Sequence, residues 1–161
     1  MTIPTRSRGT GARAMLGAVK RTLLLGCLTV ALALPPSASG SPFQVRTFHS
    51  PDGNIGCAMI FGQDTRGGEA RCDIAKHDWP TPPTPKSCEL DYGNGLFVGP
   101  HRKAAFVCAG DTTLHQGKPL PVGQAVQLGP YKCKSLEGAM RCVNRDTGHG
   151  FALSRQAAKR F

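Results

Sequence analysis

Residues 145–155, RDTGHGFALSR, hold the side chains of this chain that are best suited to chemistry. Asp146, Thr147 and Gly148 follow the order of an aspartic protease loop, but such an enzyme needs two loops whose carboxylates share one proton. The chain has no second copy, since Asp111 is followed by two threonines. Asp and Gly around a Thr are also what a tight turn requires, and we predict a turn here.

A hydrolytic triad is the second chemistry that this segment offers. His149 could act as a general base for Ser154, with Asp146 or Asp111 orienting the imidazole, because acyl transfer uses that set of side chains. The serine lies outside any Gly-x-Ser-x-Gly elbow, the turn that exposes such a nucleophile. We therefore predict no catalysis and keep a small secreted hydrolase centred on His149, Asp146 and Ser154 as the alternative.

Metal and cofactor sites have no recognisable pattern in the chain. The five histidines are dispersed, and neither HExxH nor CxxC occurs, although those spacings are what bring two ligands to one ion. The glycines at 67–68 and at 93 and 95 lack the strand-to-helix context of a phosphate-binding loop. Aromatic residues make up only 6% of the chain, which disfavours nucleic acid. We predict no metal, no cofactor and no nucleic-acid partner.

Residues 1–39 have the layout of an export signal. A basic segment precedes an apolar run from 22 to 34, and small residues then lead to a predicted cleavage site near Ser39 or Gly40. The run is shorter than the roughly 18 residues that span a bilayer. We predict a secreted or envelope-associated single domain, residues 40–161, without a transmembrane segment.

Two alternatives concern this signal. Met15 could be the true start, because the chain from that point still has the layout of a compact signal peptide. The sequence LLGC at 24–27 approximates a lipidation box, but Cys27 lies in the middle of the apolar run and Leu25 is large. Lipidation is therefore the less favoured interpretation.

Six cysteines remain in residues 40–161, and an even number in an exported chain predicts disulfides. They are Cys57, Cys72, Cys88, Cys108, Cys133 and Cys142. The alternation of apolar residues around 57, 72, 108 and 142 predicts that these four face a core. Turn sequences at 66–68, 94–95 and 136–138 separate consecutive cysteines, with Asn-Gly the strongest hairpin signal. Of 15 possible connectivities, we favour the pairing of neighbours: 57 with 72, 88 with 108, and 133 with 142.

Short alternating segments predict an all-β fold, a small antiparallel β-sandwich or barrel of stapled hairpins. The predicted strands are 43–49, 55–61, 69–74, 87–91, 96–99, 104–109, 124–128, 131–135, 139–144 and 149–154. Only residues 156–161 have a helical pattern, and that segment is too short to be stable alone.

Two long segments interrupt the strand pattern, and long loops on a β scaffold commonly carry binding. Residues 77–85 hold four prolines and the only tryptophan, and residues 112–123 hold two prolines and two glycines. We predict that Trp79 covers an edge of the core, with ligand contact by Trp79, His77 and Lys86 as the alternative.

The charge of the chain is basic, with 20 Lys and Arg against 10 Asp and Glu. Five of the basic residues belong to the predicted signal, which leaves 15 against 10. The basic residues are scattered along the sequence, which predicts a solvated surface rather than a dedicated patch. A charge of this sign favours loose association with an anionic envelope component.

The motifs SPxGNIxC at 50–57, RCD at 71–73 and GHGFxxSR at 148–155 occur together in this chain. In this combination the chain resembles a family of small secreted actinobacterial proteins known only as a domain of unknown function. The resemblance implies secretion and a fold framed by cysteines, and it implies no catalytic residue. The function predicted from the sequence is a binding or interaction module, inhibitor-like or envelope-associated. The sequence does not identify its partner, for which an extracellular protein and an anionic envelope component, polymer or lipid head group, are the candidates.

Overall fold

The strands in this computed structural model follow the short alternating segments of the sequence. Residues 43–62 and 67–161 are described, and all of them lie in one unit, Ser39–Phe161. The predicted signal peptide, its cleavage site, Met15 and Cys27 lie outside the described residues. The strands are β1 (Phe43–His49), β2 (Ile55–Gly62), β3 (Glu69–Ile74), β4 (Asp91–Val98), β5 (Ala105–Ala109), β6 (Lys118–Pro119), β7 (Ala125–Leu128), β8 (Tyr131–Leu136), β9 (Ala139–Asn144), β10 (Gly150–Ser154) and β11 (Ala158–Arg160).

These strands form two sheets. The first has the order β5-β4-β3-β2-β1-β6, and the second has the order β11-β10-β9-β8-β7. Neighbouring strands are antiparallel except where β6 pairs in parallel with the end of β1. The described residues contain no helix. The prediction of an all-β, disulfide-rich fold with antiparallel sheets is confirmed.

The core lies between the two sheets, because each strand directs alternate residues inward. Three disulfides join Cys57 to Cys72, Cys88 to Cys108 and Cys133 to Cys142, the pairing that the order of the hairpins predicts. Two of them meet at the centre, where Cys72 Sγ lies 3.6 Å from Cys142 Sγ. Large side chains surround them without solvent exposure: Met59, Leu96, Tyr131, Met140, Phe151 and Leu153.

Residues 156–161 form no helix, in agreement with the expectation that their helical pattern is too short to be stable alone. Residues Ala158–Arg160 form β11, which pairs antiparallel with β10. A tight turn starts this hairpin, because the backbone N–H of Ala157 donates to Ser154 Oγ and that of Ser154 donates to the Ala157 carbonyl. Six residues of helical propensity cannot compete with an available sheet edge.

The predicted hairpin turn at Asn94-Gly95 is wrong, and so is the strand predicted at 87–91, of which only Asp91 is in a strand. β4 runs without a break from Asp91 to Val98, and its register with β5 shifts between Tyr92 and Leu96. The extra residues form a β-bulge, with Gly93 at a φ of 94°. Because glycines tolerate unusual backbone angles, this segment forms a bulge within β4 instead of a turn that reverses the chain.

One cysteine does not lie where the sequence predicts. Cys108 was predicted to face the core, but it is exposed, whereas Val107 is buried. Its partner Cys88 lies in the loop before β4 and is buried. The Cys88–Cys108 disulfide thus fastens a loop to the edge of the first sheet, while the other two staple strands within the core.

Candidate functional site

The residues of the predicted triad lie apart. His149 immediately precedes β10 and Ser154 ends it, so five residues of extended chain, about 16 Å, separate them. Ser154 Oγ is engaged in the turn to β11, donating to the Ala157 carbonyl at 3.3 Å. Asp146 lies in the turn between β9 and β10, where its N–H donates to Asn144 Oδ1. The DTG sequence forms a turn, and the length of β10 keeps Ser154 away from His149.

Asp111, the other candidate to orient His149, has a different partner. The Arg71 guanidinium donates to Asp111 Oδ1 at 2.8 Å and to its carbonyl at 2.7 Å. These hydrogen bonds and the charge of Arg71 hold the pKa of Asp111 below its usual value. Arg71 also donates to both carboxylate oxygens of Asp73, which in turn accepts from the Thr113 N–H at 2.8 Å. The cluster fastens the chain around 111–113 to the outer face of the first sheet.

Trp79 lies over one edge of the core. Its indole N–H donates to the Ser154 carbonyl at 3.0 Å, and its ring packs against buried core residues. His77 stacks on that ring at a centroid distance of 3.6 Å and contacts the Trp79 carbonyl through Nδ1. Lys86 is exposed in the same loop. The contacts of Trp79 and His77 are those of a lid. Among the described residues, Lys86 is the member of the predicted set that forms no ion pair.

The outer face of the second sheet carries a row of cations. Lys134 on β8 is directly opposite Arg141 on β9, Arg141 is opposite Ala152 on β10, and Ala152 is opposite Lys159 on β11. Lys132 lies two residues before Lys134 and therefore points to the same side. All four side chains are exposed. We call Lys132, Lys134, Arg141 and Lys159 the basic face.

No acidic side chain offsets the basic face within the sheet. The sequences of β7 to β11 contain neither Asp nor Glu, and the two acidic residues after residue 124, Glu137 and Asp146, lie in turns. The ion pairs among the described residues involve Arg71 and Arg155 and none of the four cations. These cations are therefore available to an anionic ligand.

Strand geometry sets the spacing of these charges. Adjacent strands are about 4.8 Å apart, so Lys134 and Arg141 lie about 5 Å apart at their Cα atoms, and Lys159 lies about 10 Å beyond Arg141. The Cys133–Cys142 disulfide joins β8 to β9 and so fixes the spacing of the strands that carry three of the four cations. The Phe161 ring lies 4.6 Å from the Arg141 guanidinium carbon and supports it by a cation–π contact.

The sequence interpretation missed the basic face because its members are distant in the chain. Arg141 and Lys159 are 18 residues apart, and only the pairing of β9, β10 and β11 brings them into one row. A usable signal did exist: residues 125–161 contain seven Lys and Arg against two acidic residues. Four of the exposed cations thus share one face, while the other exposed cations of the described residues lie elsewhere on the surface.

Residues 26–161 match a family model described as a family of unknown function, DUF6636. The chain belongs to the DUF6636 family. No curated protein and no solved structure matches this DUF6636 chain with significance. The family assignment carries no activity, so the function has to be inferred from the residues themselves.

Two further properties bear on where this DUF6636 domain works. Its three disulfides indicate an oxidising environment. Within residues 43–62 and 67–161, no helix is long and apolar enough to cross a membrane.

Proposed function

We propose that this protein is an exported, disulfide-stabilised binding module that holds an anionic polymer, of the kind found in cell envelopes, against its basic face. One observation carries the proposal: four exposed cations share the outer face of a sheet whose strands contain no acidic residue. Phosphate, sulfate or carboxylate groups repeated along a polymer are the ligands that such a face attracts.

The energetics of the free protein support this interpretation. Like charges directly opposite each other destabilise a sheet, and Lys134 and Arg141 form such a pair on two strands that contain no acidic residue. A bound polyanion would remove that repulsion and add attraction. Because neighbouring strands hold the cations in place, the ligand would not have to order a flexible loop before binding, a cost that weakens many interfaces.

The test compares two variants of the mature chain, residues 40–161, that lose equal positive charge. The first changes the basic face, K132Q/K134Q/R141Q/K159Q. The second changes four exposed lysines elsewhere, K76Q/K86Q/K103Q/K118Q. Affinity for long-chain inorganic polyphosphate is measured by titration calorimetry at several salt concentrations. At about 1 kcal/mol for each cation near an anionic surface, the first variant should bind roughly two to three orders of magnitude more weakly.

The matched variant distinguishes binding at a defined surface from binding that depends only on the net charge of the protein. If binding depends on the basic face, the control should retain most of the affinity and most of the salt dependence of the wild type. Equal losses in both variants would show that only net charge matters. Absence of polyphosphate binding by the wild type at low salt would also contradict the proposal.

The hydrolase alternative has no support from the geometry. His149 precedes β10 and Ser154 ends it, and the hydroxyl of Ser154 is engaged in a turn. The loops at 76–86 and 112–123 are the competing binding surface. The control variant tests that surface too, because Lys76, Lys86 and Lys118 lie in these loops.

A further inference from the structure

A pocket of about 560 Å³ opens on the outer face of the first sheet, on the side of the sandwich away from the basic face. Glu69 at the start of β3 forms part of its wall, and Phe97 of β4 also lines it. Residues 99–102, which follow β4, supply the remaining side and include His101 and Arg102. We call this cavity the Glu69 pocket.

The Glu69 carboxylate has no bonded partner among the described residues. It lies half-buried, yet no hydrogen bond or ion pair joins it to a neighbouring side chain. Arg71 is the basic residue two positions further along β3, but its guanidinium already donates to Asp73 and Asp111. The carboxylate is therefore left to interact with whatever enters the pocket.

Burial has a measurable consequence for this carboxylate. Loss of solvent raises the pKa of Glu69 above its usual value, and Arg71 offsets this only in part. A half-buried carboxylate of this kind gains from an added positive charge more than an exposed one does. The Phe97 ring that lines the same pocket offers a surface that also favours an organic cation.

Basic side chains line the same pocket. Arg102 and His101 are exposed and line the same cavity as Glu69, but neither forms an ion pair with it. Within the described residues neither the Glu69 carboxylate nor the Arg102 guanidinium has an ion-pair partner, and a ligand that carries both charges could pair with both. A simple dication or dianion would meet repulsion at one of the two sides.

We propose that the Glu69 pocket binds an amino-acid-like zwitterion, with its ammonium group at Glu69 and its carboxylate at Arg102 and His101. Phe97 packs against the chain between the two charges. The site is independent of the polyanion proposal, because it lies on the other sheet and uses none of the four cations of the basic face.

The test uses a series of ω-amino acids of increasing length, from β-alanine to 6-aminohexanoate, titrated into the mature chain and followed by NMR. At least one member should shift the resonances of Glu69, Phe97 and Arg102. Hexylamine and hexanoate, which each carry one of the two charges, should bind about tenfold more weakly than 6-aminohexanoate or more weakly still.

Variants separate the two ends of the ligand. Glu69→Gln should lower the affinity for the tightest-binding ω-amino acid by about tenfold or more, to that of hexanoate, because the ligand's ammonium group loses its partner. Arg102→Gln should lower the same affinity to that of hexylamine, because the carboxylate loses its partner. Glu89→Gln removes an exposed acid outside the pocket and should change nothing. Equal binding by the wild type and Glu69→Gln, or no shift with any member of the series, would overturn the proposal. Polyphosphate affinity of Glu69→Gln should stay at the wild-type value, so failure here is distinct from failure of the polyanion proposal.

Discussion

Glu69 links the pocket to the stability of the fold. Because burial raises its pKa in the folded protein, the folded state binds a proton more tightly than the unfolded state does. The stabilisation by that proton is complete below the usual value of 4.5 and is lost as the pH rises through the folded pKa. Near neutral pH, the ionised Glu69 therefore destabilises the domain.

We expect Glu69→Gln to raise the melting temperature near neutral pH. The gain should shrink as the pH falls and should disappear below pH 4.5, where both proteins carry a neutral side chain. Calorimetric melting across this range measures the effect, with Glu89→Gln as the control for loss of an exposed acid. A gain of the same size at every pH would rule out the burial of Glu69 as its cause.

The two central disulfides lie close enough to exchange. Cys72 Sγ is 3.6 Å from Cys142 Sγ, so loss of Cys57 would leave a Cys72 thiol beside the Cys133–Cys142 bond. Attack of the Cys72 thiolate on Cys142 Sγ forms a bond between the sheets and releases the Cys133 thiolate, with no net oxidation.

We expect Cys57→Ser to contain the new pair Cys72–Cys142 and a free Cys133. Peptide mapping without reduction, after trapping of thiols by alkylation, identifies both products. Cys88→Ser is the control, because its freed partner Cys108 lies at the sheet edge and should stay free without exchange. Recovery of an alkylated Cys72 beside an intact Cys133–Cys142 bond would show that core packing prevents the exchange.

At the scale of elements, the segment between β5 and β6 depends on one buried carboxylate. Asp73 receives two hydrogen bonds from Arg71 and one from the Thr113 N–H, and the Arg71 and Asp73 side chains are only 13% and 8% exposed. An amide at this position cannot accept all three bonds and leaves Arg71 without its buried counter-charge.

We expect Asp73→Asn to lower the free energy of unfolding by about 3 kcal/mol, the usual cost of removing one partner of a buried pair. Asp111→Asn is the matched control, because its side chain is 81% exposed and should cost less than about 1 kcal/mol. Urea titration of both variants measures the difference. Equal losses of unfolding free energy in the two variants would show that residues 111–113 are held through Arg71 and Asp111 rather than through the buried Asp73 carboxylate.

The elements that the sequence predicted best are those whose signal is local. Alternation around Cys57 and Cys72 predicted two strands and their pairing, because both features depend on residues a few positions apart. Asn94-Gly95 misled the prediction, since the same tolerance for unusual backbone angles serves a turn or a bulge. The C-terminal strand β11 could not be predicted locally, because it forms only against the edge offered by β10.

The candidate sites were harder to predict for the same reason. The basic face depends on the register of β8 to β11, which places Lys134 opposite Arg141. The Glu69 pocket depends on where residues 99–102 lie relative to β3. Both sites combine residues that are distant in sequence. The DTG segment at 146–148, in contrast, is recognisable from the sequence because its residues are adjacent.

On the scale of the whole molecule, the sandwich presents two chemically different outer faces. The second sheet offers cations without acids, and the first offers a half-buried carboxylate in a pocket and an anchored loop. Because the two sites lie on opposite sheets, a polymer on the basic face leaves the Glu69 pocket accessible. The two proposals are therefore compatible: a polyanion bound at the basic face would leave the Glu69 pocket free for its own ligand.

The most direct test of the central claim is an NMR map of the mature chain titrated with polyphosphate. The account predicts that the largest shifts fall on the outward-facing residues of β8, β9 and β11, including Lys132, Lys134, Arg141 and Lys159, with small shifts at 76–86, at 112–123 and around Glu69. Largest shifts at those loops, or shifts spread evenly over all exposed cations, would contradict the assignment of the basic face as the binding surface.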